Sequence, residues 1–144
     1  YKLKGRCRLM DASKIKVYSF TLDCLDPGSL AHFYAELLGW DIPYRDDDYA
    51  VIAPEGAAQG AYPGLTFQRN PAFSAPVWPE EAGAQQQMAH IDFAVTDLDG
   101  AVSRAVALGA RIAQTQFSEG WKVMLDPADH PFCLCLIPQA FQEA

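Results

Sequence analysis

The sequence predicts an α+β fold in which two tandem βαβββ modules form a curved mixed sheet around a cavity. Two observations lead to this prediction. The halves of the chain are similar to each other at an offset of about 71 residues, which separates Asp26 from Asp97. Each half also starts with an alternating apolar strand, continues as an amphipathic helix and ends in three short strand-like segments. A repeat of this length is too long for a solenoid and indicates duplication of one compact unit.

The first module is predicted to span residues 15–69. Its opening strand ends at Asp26, which is placed to cap the following helix, and Pro27 suits the first helical turn. Gly39 favours the end of the helix, because glycine adopts a left-handed conformation at low cost. The apolar residues at helical spacing are Leu30, Phe33, Tyr34, Leu37 and Leu38. Three strands are expected after the helix, at about 39–44, 49–54 and 63–69.

The second module, residues 89–138, repeats the same order. Its first strand ends at Asp97, which is again placed as a helix cap, and Gly109 favours the end of the helix. The apolar positions of this helix are Val102, Ala105, Val106 and Leu108. Strands are expected at about 111–115, 121–125 and 131–137, and the segment 126–129 is expected to form a turn.

Two further segments complete the predicted organisation, which is one structural domain overall. Residues 1–14 form an N-terminal extension that contains a candidate start at Met10. Residues 70–88 form a linker whose prolines oppose helix and central strand. The linker also carries Phe73 and Trp78, so it either packs on the edge of the domain or closes over the cavity as a flap.

Composition and charge limit the classes of partner. The net charge is −7, with 18 acidic and 11 basic side chains, and five of the basic ones fall within the first 14 residues. The remaining chain is therefore strongly acidic, which opposes binding to nucleic acid and favours a cationic small molecule. No apolar run reaches the roughly 20 residues needed to cross a bilayer. The cysteines, Cys7, Cys24, Cys133 and Cys135, are expected to be thiols of a cytoplasmic protein.

Strand alternation predicts which side chains face the cavity. Phe20, Leu22 and Cys24 should lie under the first helix, which turns Ser19, Thr21 and Asp23 towards the cavity. The corresponding cavity-facing set in the second module is His90, Asp92 and Ala94. On the last strand of each module the cavity-facing residues are Thr66 and Gln68, and Cys133 and Cys135. A slip of one residue would invert these assignments.

Four segments carry a resemblance to a known family. They are Asp26-Pro-Gly-Ser-Leu-Ala-His-Phe-Tyr-Ala-Glu-Leu-Leu-Gly-Trp40, Gln87-Met-Ala-His-Ile-Asp-Phe-Ala-Val-Thr-Asp-Leu-Asp99, Leu108-Gly-Ala110 and Asp126-Pro-Ala-Asp-His-Pro-Phe-Cys133. The chain from residue 15 to 137 resembles the vicinal oxygen chelate superfamily of glyoxalase and bleomycin-resistance proteins, and within it the glyoxalase-like domain branch. The resemblance implies the glyoxalase/bleomycin-resistance fold and a homodimer. It leaves activity open, because the superfamily contains lyases, dioxygenases, epimerases and drug binders.

The resemblance also implies four positions for a divalent metal, which are here Ser19, Gln68, His90 and Cys133. Only His90 matches the family pattern, and the two glutamates that neutralise the ion are missing. A thiolate is a poor partner for a hard ion, and zinc would normally take more than the two ligands His90 and Cys133. No cofactor is therefore expected, although a divalent metal is left open. The same four residues are candidates for contact with a ligand.

The candidate catalytic residues are His90 and Asp92, which share a face and can act as a general base or as an anchor for a ligand. His90 can equally be a structural histidine, and Cys133 either a nucleophile or a buried structural thiol. Aromatic residues fall mostly in strands and connections, at Trp40, Tyr44, Tyr49, Tyr62, Phe67, Phe73, Trp78, Phe117 and Trp121. Among them Trp40, Tyr49, Trp78 and Trp121 are the candidate ligand contacts.

Three functions fit these observations. The favoured one is a metal-free binding protein that holds a small molecule by shape, aromatic contact and acidic charge. The second is a glyoxalase-like lyase or isomerase that uses His90, with or without a recruited metal. The third is a subunit or regulatory module whose cavity is vestigial and binds nothing.

Overall fold

The structure is a computed structural model that describes residues 16–57 and 63–137. Cys7, Tyr62 and the predicted extension 1–14 lie outside the described residues. The first module contains β1 (Ser19–Cys24), α1 (Pro27–Leu38), β2 (Trp40–Arg45), β3 (Tyr49–Pro54) and β4 (Gly64–Arg69). The second contains β5 (Ile91–Val95), α2 (Leu98–Ala107), β6 (Arg111–Ile112), β7 (Trp121–Leu125) and β8 (Pro131–Leu136). The predicted α+β fold of two βαβββ modules is confirmed.

The first sheet has the strand order β1-β4-β3-β2. β1 runs parallel to β4, with Ser19 opposite Gly64, whereas β4, β3 and β2 are antiparallel neighbours. Gly64 marks a close approach between strands, since a Cβ at this position would lie 2.7 Å from the carbonyl oxygen of Ile52. Only glycine therefore fits there without a shift of the backbone.

The second sheet repeats this arrangement in the order β5-β8-β7-β6. β5 runs parallel to β8, with Ile91 opposite Phe132, and β8, β7 and β6 are antiparallel. The duplication inferred from the sequence thus extends to strand order and direction. Across the described residues the strands form two four-stranded sheets, with no closed barrel.

Both helices begin as the sequence predicts. The Asp26 carboxylate accepts a hydrogen bond from the Ser29 N–H, and the Asp97 carboxylate accepts one from the Gly100 N–H, each at 3.0 Å. These bonds satisfy backbone donors that the first helical turn leaves unpaired. Gly39 ends α1 in the left-handed conformation, with φ of 67°. Neither helix of the described segments has the length and hydropathy that a membrane crossing requires.

A single buried cluster contains residues of both modules, and Tyr34 of α1 lies at its centre. Its ring stacks on Phe67 of the first module with 5.5 Å between centroids. It also packs against Phe93 and Phe132 of the second module, each with centroids 6.0 Å away. The two sheets are therefore held together by apolar packing across α1.

The linker packs against the second module. The ring centroids of Phe73 and His130 lie 5.2 Å apart, and Trp78 packs on a small buried cluster that contains Ala113, Val123 and Cys133. The linker also forms a backbone hydrogen bond within itself, in which the Val77 N–H donates to the Gln85 carbonyl at 2.9 Å.

Local differences from the sequence prediction have identifiable causes. Phe20, expected under α1, is 55% exposed because α1 packs mainly over β2, β3 and β4 and least over β1. The strand predicted at 111–115 has only two residues, since the Gln116 side chain takes over the pairing with β7. Its amide nitrogen donates to the Val123 carbonyl and its amide oxygen accepts from the Val123 N–H, at 2.8 and 2.9 Å.

Candidate functional site

A histidine, an aspartate and a cysteine side chain meet on the face of the second sheet opposite its helix. His90 directly precedes β5, Asp92 lies two residues further on the same face, and Cys133 of β8 is the register partner of Asp92. The His90 Nε2 lies 3.3 Å from a carboxylate oxygen of Asp92. One ligand atom from each of the three residues lies within 4.8 Å of the others. Strand alternation and parallel pairing thus bring together the residues that the sequence predicted to share a face.

The thiol of Cys133 is neutral at ordinary pH. Burial raises the pKa of Cys133 to about 12, and the hydrogen bond and negative charge of Asp92 act in the same direction. The pKa of Cys135 is also raised, by burial and by the charge of Asp92. Because the thiolate is the nucleophilic form of cysteine, this environment favours the structural interpretation of Cys133 over the nucleophilic one.

A cavity of about 190 Å³ lies beside this cluster. Linker, strand and loop residues line it, and they are Trp78, Gln87, His90, Phe117, Trp121, Val123, Pro131 and Cys133. The rings of Trp78 and Phe117 meet edge to face with 6.1 Å between centroids. Two buried polar atoms, Nε1 of Trp78 and Oε1 of Gln87, have no hydrogen-bond partner within the described part of the chain.

The structure separates the predicted site residues into two groups. His90, Cys133, Trp78 and Trp121 line the cavity, and Asp92 lies next to it. Ser19, Gln68, Trp40 and Tyr49 belong to the first sheet and do not line this cavity. Trp40 packs against the hydrophobic core, and Tyr49 is 43% exposed at the start of its strand.

Sequence reasoning did not single out Gln87, Val123 or Pro131 as lining residues. Val123 is an ordinary apolar strand residue, and Pro131 begins a strand, so neither carries a sequence signal for a site. Gln87 carries a weak signal, namely a polar residue three positions before His90 at the end of a linker rich in proline, alanine and glutamine.

The donors at the four family positions do not fit the divalent ion that the family commonly holds. The Ser19 hydroxyl already lies 2.7 Å from the Thr66 hydroxyl and donates to the Gly64 carbonyl at 3.2 Å. Cys133 is a neutral thiol, and neither position supplies the carboxylate that a hard ion prefers. Asp92 adds a third ligand to His90 and Cys133, which gives one nitrogen, one oxygen and one sulfur, a set closer to zinc chemistry.

Two larger concavities lie elsewhere but have weaker chemistry. One, of about 480 Å³, opens at the start of α1 and is lined by exposed charged residues. Of its lining residues, Arg69 already lies 3.6 Å from Asp48, and Asp46 accepts a hydrogen bond from the Tyr44 hydroxyl. The other, of about 330 Å³, lies between Phe73 and the turn at Pro127, and its walls are largely apolar. Of these three cavities of the described residues, the one at His90 combines aromatic walls with the cluster of His90, Asp92 and Cys133.

Comparison with known proteins supports the fold. The glyoxalase-like domain family model matches residues 19–135, whereas no curated protein matches the sequence. A glyoxalase/bleomycin resistance protein/dioxygenase family enzyme from Burkholderia phytofirmans superposes with a TM-score of 0.61 at 14% identity, covering 83% of this chain and 97% of that one.

Two further solved structures show how varied the proteins with this fold are. The trypanothione-dependent glyoxalase I of Leishmania major superposes with a TM-score of 0.55 at 18% identity, covering 90% of this chain and 91% of that one. An antibiotic-binding protein from Streptomyces sp. CB03234 gives a TM-score of 0.54 at 16% identity, covering 84% and 94%. At such identities the likeness establishes the fold alone. With the family match over most of its length, this chain belongs to the glyoxalase-like domain family.

Proposed function

We propose that the protein binds a small molecule in the cavity at His90 and does so without the divalent metal of the wider family. The observation that carries this proposal is the cavity itself, where three aromatic residues, Gln87 and His90 line a space of about 190 Å³. Small-molecule sites are typically concave, mostly apolar and equipped with a few placed polar groups.

Two further observations support a binding role. The chain carries a net charge of −7, and the exposed Asp92 lies at the edge of the cavity, so cationic molecules are favoured. A protein of the same fold from Streptomyces binds an antibiotic. The high pKa of Cys133 also argues against a covalent mechanism through this thiol.

A ligand screen tests the binding proposal. Cationic and aromatic small molecules are screened by thermal shift, and hits are titrated by tryptophan fluorescence. Trp121→Ala should weaken binding of a hit about two- to tenfold, because an aromatic contact contributes about 0.5–1.5 kcal/mol. Tyr44→Ala is the control, since Tyr44 is an exposed aromatic residue of the other sheet, at 52% against 42% for Trp121. Unchanged affinity in Trp121→Ala would place the ligand outside this cavity.

The contribution of the first module is tested in the same titration. Tyr49→Ala, together with Ser19→Ala and Gln68→Ala, examines the predicted ligand contacts of the first sheet. A loss of affinity in these variants would mean that the ligand touches both sheets, whereas unchanged affinity would confine the site to the second module.

Metal content is measured on protein purified without a metal-chelating tag, followed by titration with zinc, nickel, manganese and iron. The proposal expects no stoichiometric metal. A bound zinc ion that is lost in both His90→Ala and Asp92→Ala would contradict it and would identify the His90, Asp92 and Cys133 cluster as a metal centre.

A second candidate function is a glyoxalase-like lyase or isomerase. The observation that favours it is the 3.3 Å approach of His90 to Asp92, both of which are exposed beside the cavity. A carboxylate at this distance can orient the imidazole for proton transfer, as a general base requires. His90→Ala should abolish turnover of a hit compound, whereas His32→Ala, on an exposed face of α1, should leave it unchanged.

The proposal includes a homodimer in a reducing compartment such as the cytoplasm. Large apolar side chains are exposed on both sheets, among them Phe20 at 55% and Trp121 at 42%. Exposed apolar surface of this kind often marks a protein interface. Cys24, Cys133 and Cys135 are free thiols, which suits a reducing compartment. Light scattering at micromolar concentration distinguishes a dimer of about 32 kDa from the 15.8 kDa chain.

A further inference from the structure

A second cavity, of about 330 Å³, lies where the first module, the linker and the turn after β7 meet, and we refer to it as the junction cavity. It shares no lining residue with the cavity at His90. Its wall is mostly apolar, which favours a ligand with a hydrocarbon body. The apolar residues are Leu25 and Leu30 of the first module, Phe73 and Ala75 of the linker, and Pro127 and Ala128 of the turn.

Hydrogen bonds hold both sides of the junction cavity in place. On the linker side, the Asn70 N–H donates to the Cys24 carbonyl, and the Asn70 side chain donates to the Asp23 carboxylate, each at 2.8 Å. On the side of the turn, the Asp126 carboxylate accepts a hydrogen bond from the Ala128 N–H at 2.8 Å. The cavity is therefore formed before a ligand arrives, which reduces the entropy lost on binding.

The charged groups of the junction cavity are acidic. Asp26 and Asp129 line it, and none of the described residues in its wall is basic. Asp129 already pairs with Arg111. Hydrogen bonds from Ser29, and more weakly the charge of Arg45, hold the pKa of Asp26 below its ordinary value. Asp26 is exposed and ionised at neutral pH, and a carboxylate with about four acceptor sites can take a partner in addition to Ser29.

The negative field extends to the buried part of the wall. Burial raises the pKa of the Cys24 thiol to about 11, and the charges of Asp26, Asp126 and Asp23 act in the same direction. Three carboxylates thus disfavour a second negative charge next to Cys24. The same field attracts a cation and repels an anion.

We propose that the junction cavity binds a hydrophobic primary amine, that is, a protonated ammonium group on an aromatic or alkyl body. The ammonium group contacts the Asp26 carboxylate, and the body lies between Phe73 and Pro127. A cavity of roughly 150 Å³ is enough for one benzene ring. The larger volume of about 330 Å³ therefore accommodates a ring with a short alkyl chain. This site is separate from the cavity at His90, and the inference does not depend on the proposed function.

The test compares 3-phenylpropylamine, which is protonated at neutral pH, with the uncharged 3-phenylpropan-1-ol. Binding to the full chain is followed through backbone amide resonances at low ionic strength. We expect the amine to shift the resonances of Leu25, Ala75 and Ala128, and to bind at least about threefold more tightly than the alcohol. Exposed ion pairs are screened by salt, so roughly 0.5 M sodium chloride should remove most of this preference.

Variants assign the preference to one carboxylate. Asp26→Asn removes the charge, but asparagine caps a helix as well as aspartate does, so the fold should be retained. The preference for the amine should fall to within about 1.5-fold in this variant, because the ion pair is lost. Asp97→Asn makes the same change at the cap of α2, which does not line the cavity, and it should keep the full preference.

A second pair of variants tests the apolar wall. Phe73→Ala should weaken the amine and the alcohol alike, by about two- to tenfold, because both lose an aromatic contact. Phe117→Ala removes a ring of the cavity at His90 and should leave both affinities unchanged.

The outcomes separate this site from the cavity at His90. Equal affinity for the two probes, a preference that survives in Asp26→Asn, or no shift at the resonances of the wall overturns the inference. Shifts confined to Val123 and Cys133 also overturn it, because the amine would then occupy the cavity at His90. Affinity that depends on Phe73 and not on Trp121 supports the junction cavity.

Discussion

The hydroxyl of Tyr34 donates a 2.8 Å hydrogen bond to the carboxylate of Asp126, and both side chains are fully buried. This bond connects the helix of the first module to the turn between β7 and β8 of the second. Tyr34→Phe leaves a buried carboxylate oxygen without its partner, which should lower the free energy of unfolding by about 1–3 kcal/mol. Urea denaturation measures the change.

The same experiment examines whether the modules unfold together. Since Tyr34 packs on both sheets, we expect a single transition that moves as a whole in Tyr34→Phe. Tyr44→Phe is the control, because its hydroxyl bonds Asp46 at the surface, and it should change stability by less than about 0.5 kcal/mol. Two separate transitions, only one of them shifted, would show that the modules are independent domains.

Ionisation of Asp126 should make the free energy of unfolding depend on pH. Burial raises the pKa of Asp126 above its ordinary value of 3.8, although the nearby His130 and the Tyr34 hydroxyl oppose the shift. The folded state therefore binds the proton more tightly than the unfolded state. The resulting stabilisation is complete below pH 3.8 and is lost as the pH rises through the folded-state pKa. The stability of the wild type relative to Asp126→Asn should fall across this window.

Asp26 provides a control of opposite sign. Hydrogen bonds from Ser29 lower the pKa of Asp26 below 3.8. Its stabilisation is present above pH 3.8 and is lost as the pH falls through the folded-state pKa. The stability of the wild type relative to Asp26→Asn should therefore rise with pH in the acidic range. Parallel curves for the two variants would contradict the assignment.

The thiol of Cys133 should be unreactive in the folded protein. With a pKa raised to about 12, only about one thiol in ten thousand is ionised at pH 8, and the thiolate is the reactive form. Alkylation by iodoacetamide at Cys133, followed by peptide mass spectrometry, should be at least about a hundredfold slower than in urea. Asp92→Asn should accelerate it, because the Asp92 carboxylate helps to raise this pKa. Rapid alkylation of the folded wild type would restore the nucleophilic interpretation.

Two glycines should respond oppositely to alanine. A Cβ at Gly64 would lie 2.7 Å from the backbone oxygen of Ile52, so Gly64→Ala should destabilise the fold by about 1–3 kcal/mol. At Gly28, in the first turn of α1, the nearest atoms are 3.5 Å or more away. Gly28→Ala should be neutral or stabilising by up to about 1 kcal/mol. Thermal unfolding of both variants decides between these outcomes.

The repeat made most of the fold predictable. Asp26 and Asp97 mark both helix starts, and the strands that follow lie within about a residue of their predicted positions except at β6. That exception depends on the side chain of Gln116, which replaces a stretch of backbone pairing, and local propensity carries no information about such a contact. The burial of Asp126 could not be predicted from the sequence either. An Asp-Pro turn is usually exposed to solvent, and only the tertiary contact with Tyr34 explains why this one is buried.

The arrangement of the candidate site was predictable where it follows strand geometry. Period-two alternation placed His90 and Asp92 on one face, and the parallel partner of Asp92 is Cys133. Gln87 was not predicted to line the cavity, because its position there depends on how the linker folds back over the second sheet. The sequence left open whether Trp78 packs on the edge of the domain or covers the cavity. In the structure Trp78 both packs on the second module and lines the cavity.

Each four-stranded sheet is built from strands of one half of the chain, and its strands pair only with each other. Substitutions on the ligand face of one half therefore leave strand pairing in the other half intact. A duplicated gene of this design can change what it binds in one copy while the other keeps the molecule folded. Ser19 and His90 occupy equivalent positions of the repeat, yet the Ser19 hydroxyl is engaged with Thr66 whereas His90 lies beside Asp92 and Cys133, so the two halves differ at the position where a change of binding would begin.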